Sequence, residues 1–406
     1  MWELIRANKR KSVFLFITMG LILLLLGYVV GSVYLEGGGV FGVVIALIIW
    51  GILSLVSYTS GSKILLAVSG AKEVTNDVHP QLFNIVEEMK IASNFTHMPK
   101  IYIINSAAPN AFATGVKPEK TAIAVTAGLL ARLNRDELQG VVAHEMSHIV
   151  NRDVLFMTIA GMMLGSIVLI SQVFLRSLWF GAGGRYSSKS SKSSGQGQLV
   201  FMIIAIAFAI LGPIMAQLLY FAISRKREYL ADASAVRFTR YPEGLASALE
   251  KISNSTQELK SANKVTAPMY IANPLKKKGR KLSDISSTHP PISERVRILR
   301  SIGHGANFID YQNAFNTVKG SKQNIIPATI LSDLSPVKIR GAGVVPLVSL
   351  NKKQTQRDMG DIMMKVNKYS FINCTCGLKI KIPPEFRKNS LFCPRCGKEH
   401  LVRAKK

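Results

Sequence analysis

The sequence predicts an α+β membrane protein with about four transmembrane helices, and three observations carry that prediction. Uncharged apolar runs cover residues 12–34, 40–58, 154–175 and 199–223, each near the ~20 residues of helix that a ~30 Å hydrocarbon core demands. Between the second and third runs the apolar period switches from helical spacing to two short β-prone stretches, Lys100-Ile101-Tyr102-Ile103-Ile104 and Thr121-Ala122-Ile123-Ala124-Val125. Hydrophobic residues make up 48% of the 406 positions, and the mean hydropathy is positive.

In chain order, residues 1–11 carry Arg6, Lys9, Arg10 and Lys11 ahead of the first run. That run is too long for a signal peptide and has no small-residue cleavage site, so it reads as an uncleaved helix. The Leu35-Glu36-Gly37-Gly38-Gly39 turn sends the second run back. Basic residues before the hairpin and none in its turn put both ends in the cytoplasm.

Residues 61–153 open with a helical pattern at Leu82, Ile85, Val86 and Met89. The two β-prone runs follow, separated by Asn110-Ala111-Phe112-Ala113-Thr114-Gly115, and then a helix with Leu138, Val141, Val142, Ile149 and Val150 on its apolar positions. The third run starts directly after Asn151-Arg152-Asp153, which sets that helix at the membrane surface. A Ser-, Gly- and Lys-rich linker over 187–197 precedes the fourth run, where Gly212-Pro213 predicts a kink.

The linker is basic, which argues against its lying outside, whereas Arg225-Lys226-Arg227 at the next boundary argues for two full crossings. Four crossings are the expectation, with a hairpin of two half-buried helices as the alternative. Helical patterns over 243–259 and 293–302 flank a Lys- and Pro-bearing loop. The expected division is a transmembrane hairpin over 1–60, a main domain over 61–320 that includes the runs at 154–175 and 199–223, a linker over 321–369 and a small module over 370–406.

The formal charge of +27 suits nucleic acid in a soluble chain, but in a membrane protein it reads as flanking charge drawn to anionic headgroups. The four cysteines all lie between Cys374 and Cys396, so no disulfide can staple the rest, and a reducing compartment is the natural home.

Chemistry concentrates in His144-Glu145-Met146-Ser147-His148. Residues four apart share a helix face, so both imidazoles can meet one metal ion. Glu145 beside them can reach a bound water as a general base. Two histidines could face one way by accident, but this composition yields the pattern only about 0.004 times per chain.

A catalytic zinc takes three protein ligands and keeps a position for water. Glu228, just after the fourth run, is placed to be the third, with Asp232 four residues on; an amphipathic helix carrying two solvated acids is the plainer alternative. His289 precedes Pro290-Pro291 and is either a donor to a developing oxyanion or a capping or buried structural histidine. His79, His97, His304 and His400 read as ordinary surface or packing residues.

Taken in order, Asn110-Ala111-Phe112-Ala113-Thr114-Gly115, His144-Glu145-x-x-His148, Asn151-Arg152-Asp153, Glu228-x-x-x-Asp232 and Thr288-His289-Pro290-Pro291 resemble the HtpX-like membrane zinc endopeptidases, gluzincins related to the CAAX prenyl proteases. The resemblance covers residues 1 to about 300. It implies a gluzincin metallopeptidase core at the cytoplasmic membrane surface, with Glu228 the third zinc ligand and Asp232 a carboxylate that fixes a zinc-bound imidazole.

The same resemblance makes Asn110, Ala111, Phe112 and Ala113 a substrate-facing edge strand to which a peptide adds by backbone hydrogen bonds. A loop ending in a glycine turn is the alternative there. The implied activity is cleavage of membrane or misfolded proteins at the bacterial inner membrane. A catalytically silent zinc-bound scaffold and a prenyl-protein protease are the rival readings.

Cys374, Cys376, Cys393 and Cys396 form two close pairs, and four thiolates so spaced can hold a structural zinc in a zinc-ribbon-like module. The single residue between Cys374 and Cys376 departs from the usual two. Two disulfides are the alternative, and the module's lysines and arginines could touch acidic partners or nucleic acid.

Overall fold

The computed structural model describes residues 2–34, 37–181, 195–259, 267–272, 274, 289–303, 305–320, 324–331, 337–341 and 351–402. Thr288, His304, most of the 187–197 linker and most of the 260–287 loop lie outside the described residues.

Helices α1 (Trp2–Tyr34) and α2 (Gly39–Val68) form the expected hairpin. They touch through glycine: a Cβ on Gly42 would lie 2.1 Å from the carbonyl oxygen of Gly27, so any larger residue would push the backbones apart. The hairpin packs against two further long helices, α6 (Asp153–Gly181) and α7 (Gly195–Thr239). Large apolar side chains such as Phe14, Leu21, Phe41, Ile48, Leu55, Leu169 and Ile214 point outward from this bundle, a surface suited to lipid.

By length and hydropathy, α2 is the one helix among the described residues that qualifies to cross a membrane; apolar stretches at Phe16–Ser32 and Ile167–Arg176 are shorter. The fourth apolar run and the Glu228 segment after it form one helix: α7 continues through Pro213 to Glu228 and beyond.

Beside the bundle lies a four-stranded sheet of β1 (Ala71–Glu73), β2 (Lys100–Ile104), β3 (Ala111–Thr114) and β4 (Ala122–Thr126) in the order β1-β2-β4-β3. The pair β2 and β4 is parallel, with α3 (Pro80–Ala92) packed under the sheet. Strand β3 pairs antiparallel with β4 and forms the sheet's far edge. A short α4 (Ala127–Leu130) leads to α5 (Arg135–Val150), which carries the His-Glu motif.

The core closes with α8 (Pro242–Ser253), α9 (Ile292–Arg300), α10 (Phe308–Lys319) and α11 (Ala328–Leu331). Helix α8 stops short of the 243–259 pattern. The expected 321–369 linker requires correction. It holds α12 (Lys352–Val366), whose Met359, Ile362, Met363 and Val366 pack on the main core, and Ile326 is buried there too. Their spacing of three and four residues is the apolar stripe of a surface helix. Two hairpins end the chain, β5 (Ser370–Asn373) with β6 (Lys379–Ile382) and β7 (Ser390–Phe392) with β8 (Glu399–Leu401).

Candidate metal centre

Helix α5 begins with a reciprocal cap in which Asn134 accepts from the Glu137 N–H and Glu137 accepts from the Asn134 N–H. Glu137 also accepts from Ser247 and Lys251 of α8, and Gly140 lets the two helices meet backbone to backbone. With the sheet on one side and α7 and α8 on the other, α5 is buried nearly all round.

His144 and His148 therefore project into protein, their Nε2 atoms 3.3 Å apart. Helix α7 brings Glu228 across, its carboxylate oxygens 3.6 Å from Nε2 of His144 and 3.5 Å from Nε2 of His148. One ligand atom from each of the three lies within 4.8 Å of the others. Two imidazoles and a carboxylate are the donor set of a catalytic zinc.

A metal-bound imidazole needs a partner for its other nitrogen, and each has one. Asp232, one turn after Glu228, lies 3.0 Å from Nδ1 of His144. Asp153, the first residue of α6, lies 3.1 Å from Nδ1 of His148. The α5–α6 joint that allows this is two residues long, with Arg152 in the left-handed region at φ 61°.

Asp232 is in turn gripped by Arg295 of α9, whose Nε and Nη2 donate to its two oxygens at 2.8 and 2.6 Å. This guanidinium is completely buried, and it lies 3.6 Å from Glu228 as well. His289 is 4% exposed and sets its Nδ1 2.7 Å from Glu228 Oε2. The structure thus brings His144, His148, Glu228, Asp232 and His289 into one cluster.

Electrostatics follow from burial and these neighbours. Burial would raise the Glu228 carboxyl, but His289, His144 and His148 hold it well below the usual range. For Asp232 burial likewise works upward, and Arg295 and His144 prevail to lower it. Burial would deprotonate His144, yet Asp232 and Glu228 lift it to about 9, so the field here holds a positive charge and draws a cation.

Glu145 differs. Burial raises its carboxyl above the ordinary value, and its Oε2 is buried with no hydrogen-bond partner among the described residues. A solitary buried carboxylate oxygen beside three converging ligand atoms fits a site that takes a metal and its water.

Ala111, Phe112 and Ala113 fall on β3, and Asn110 immediately precedes it. Sequence reasoning assigned no role to Asp153 or Arg295. Asp153 stood inside a quoted motif, whereas nothing local marks Arg295, whose partner is 63 positions away. His79 caps α3 by accepting from the Leu82 N–H at 3.2 Å, a packing role.

At the end of the chain the sulfurs of Cys374, Cys376, Cys393 and Cys396 lie within 4.8 Å of one another, as free thiols. The Cys376 backbone beside its sulfur lowers Cys374 to about 5, which favours the thiolate that metals bind. His400 also contacts Cys374.

A model of peptidase family M48 matches residues 76–303. A protease HtpX homolog of Dictyoglomus turgidum is 44% identical over 309 residues, 76% of this chain and 97% of that protein. Another, of Caldanaerobacter subterraneus, is 41% identical over 302 residues, 74% of this chain and 98% of that protein. A chain described as the crystal structure of S. mikatae Ste24p aligns at 21% identity and a TM-score of 0.39, over 74% of this chain and 67% of that one. The family match spans the metal cluster and strands β2, β3 and β4, and the relatives are covered almost end to end, so the chain belongs to peptidase family M48 and is a membrane zinc endopeptidase of that family.

Proposed function

We propose that His144, His148 and Glu228 hold one catalytic zinc and that Glu145 is the general base of peptide-bond hydrolysis. The observation that carries this assignment is the buried Oε2 of Glu145, without a hydrogen-bond partner among the described residues, beside the three converging ligand atoms. When bound, zinc supplies Lewis-acid polarisation of the scissile carbonyl and lowers the pKa of its water.

The chain's own residues do the rest. Glu145, raised by burial, takes a proton from the attacking water and delivers it to the leaving amine. Asp232 and Asp153 accept the Nδ1–H of His144 and His148, which leaves each Nε2 lone pair for the metal. His289 orients Glu228 and is within reach of the same space as a donor to the developing oxyanion. A silent scaffold would have no use for Glu145.

The wider setting is part of the proposal. Helices α1, α2, α6 and α7 are four crossings of the bacterial inner membrane, with the active site on the cytoplasmic side. Support comes from the basic residues Arg6, Lys9, Arg10 and Lys11 in the N-terminal turns of α1 and from the outward-facing apolar side chains. Substrates are membrane proteins or misfolded proteins whose juxtamembrane segments pass the site, bound along β3 at Asn110, Ala111, Phe112 and Ala113. Residues 370–406 are a separate module in which the four cysteines hold a structural zinc; its basic surface carries no argument for nucleic acid.

The deciding experiment is Glu145→Gln in the full chain. It should keep zinc at the catalytic site while cleavage of a membrane-protein substrate falls by ~10³-fold or more. Undiminished cleavage would sink the mechanism.

A further inference from the structure

Antiparallel pairing spends alternate backbone groups of β3 on β4, as when the Thr126 N–H donates to the Asn110 carbonyl. The groups of Ala111 and Ala113 then face outward, along the edge where a peptide would add as a strand. That edge is already in use. The Ala111 N–H donates to the Asn110 side chain at 3.1 Å. The Ala111 carbonyl accepts from the Ile271 N–H at 2.9 Å.

Ile271 belongs to a short stretch held against β3 at several points. The Asn110 side chain grips the next residue, donating to the Ala272 carbonyl at 2.9 Å and accepting from its N–H at 3.4 Å. The Tyr270 ring stands edge-on to Phe112, centroids 5.1 Å apart. Arg295 donates to the Ile271 carbonyl at 3.2 Å, with the same guanidinium nitrogen 3.6 Å from Glu228. One guanidinium thus separates this stretch from the metal ligands.

We infer that residues 270–272 are an intramolecular stand-in for substrate. They occupy the β3 edge that a peptide must use, and their Tyr270-Ile271 pair marks the class accepted there, an extended apolar segment with an aromatic residue followed by a branched aliphatic one. The inference rests on the reading of β3 as the substrate edge. A peptide and residue 271 cannot both donate to the Ala111 carbonyl along one line, so binding displaces the strap. The tethered strap competes at a high effective concentration, which keeps the edge closed to weak peptides.

The test is hydrogen exchange on full-length Glu145→Gln protein in detergent, with and without a saturating peptide that carries an aromatic–aliphatic pair and that wild type cleaves. Amides of residues 269–272 should exchange about tenfold faster or more once the peptide is bound, while those of Ala111 to Thr114 are no less protected. Unchanged or stronger protection of 269–272 with the peptide bound and cleaved would overturn the strap while leaving the peptidase reading intact. Failure of wild type to bind or cleave any peptide would overturn both.

A second measurement needs no bound peptide. Tyr270→Ala, which removes the ring against Phe112, should lower KM for that peptide by about 2- to 10-fold with kcat little changed. A folded variant with raised KM would count against the strap. Peptides with charged residues in place of the pair should lose this gain.

Discussion

Asp153 Oδ2 lies 3.1 Å from Nδ1 of His148, a contact made across a helix joint of two residues, and it matches the 3.0 Å contact of Asp232 with His144. Each imidazole is therefore held by a carboxylate on a different helix, α6 for one and α7 for the other. The first residue of the long apolar helix α6 thereby helps to shape the metal site.

From that pairing, Asp153→Asn should weaken zinc binding by about 10- to 100-fold, because the amide no longer favours the Nδ1–H tautomer of His148. Chelator competition on the full chain measures it. Activity should recover when zinc is supplied in excess, since no ligand or base is lost. Unaltered zinc affinity would reduce Asp153 to a helix cap.

Arg295 and Asp232 make a second prediction, about stability. Arg295→Met leaves a carboxylate buried without its partner and should cost about 3–5 kcal/mol, while adding Asp232→Asn to it should restore much of the loss. The pH dependence has a definite sign. Burial raises Asp232 but Arg295 and His144 win and depress it, so the folded state binds fewer protons than the unfolded one. The contribution is present above the unfolded value of ~3.9 and is lost as pH falls below it through the folded value. Thermal melts of wild type and Asp232→Asn between about pH 3 and 6 should converge at the acid end; parallel curves would contradict the pairing.

Local patterns were legible in the sequence, and distant partnerships were not. The runs at 100–104 and 121–125 announced β2 and β4 because strand period and β-branched content are written in adjacent residues. The His144–His148 face was legible for the same reason. Arg295, by contrast, reads as one more charge at a helix start, and only the fold reveals that it is completely buried. The placement of Ile271 on β3 joins positions 160 apart with no local signature. Helix α12 was missed for a different reason: its apolar stripe of methionines, Ile362 and Val366 sits among lysines and aspartates that make the stretch read as a linker.

Topology supplies a third prediction. With the native cysteines replaced, single thiols at positions 191 and 263, both outside the described residues, should label from opposite sides of the membrane. Labelling from one side would turn α6 and α7 into a re-entrant hairpin. The metal cluster would survive that result, because its ligands come from α5 and from the C-terminal half of α7.

The last prediction concerns the cysteine module. Its two hairpins bury little, with Ile382, Cys374 and Cys393 its only described residues under one tenth exposed, so on the proposal that the four thiols hold a zinc, the metal supplies most of the module's folding free energy. Cys393→Ser should therefore release one zinc per chain and unfold residues 370–402, read as loss of protease resistance in that segment alone. The catalytic ligands lie on α5 and α7, so turnover of a small peptide should persist. Helix α12 should remain in place, since its apolar stripe packs on the main core and Lys72 donates to Asn367 at its end. Zinc per chain and peptide turnover measured together decide the matter. One zinc lost with turnover intact makes the module an accessory for docking; turnover lost with the catalytic zinc retained would mean that the module completes the active site.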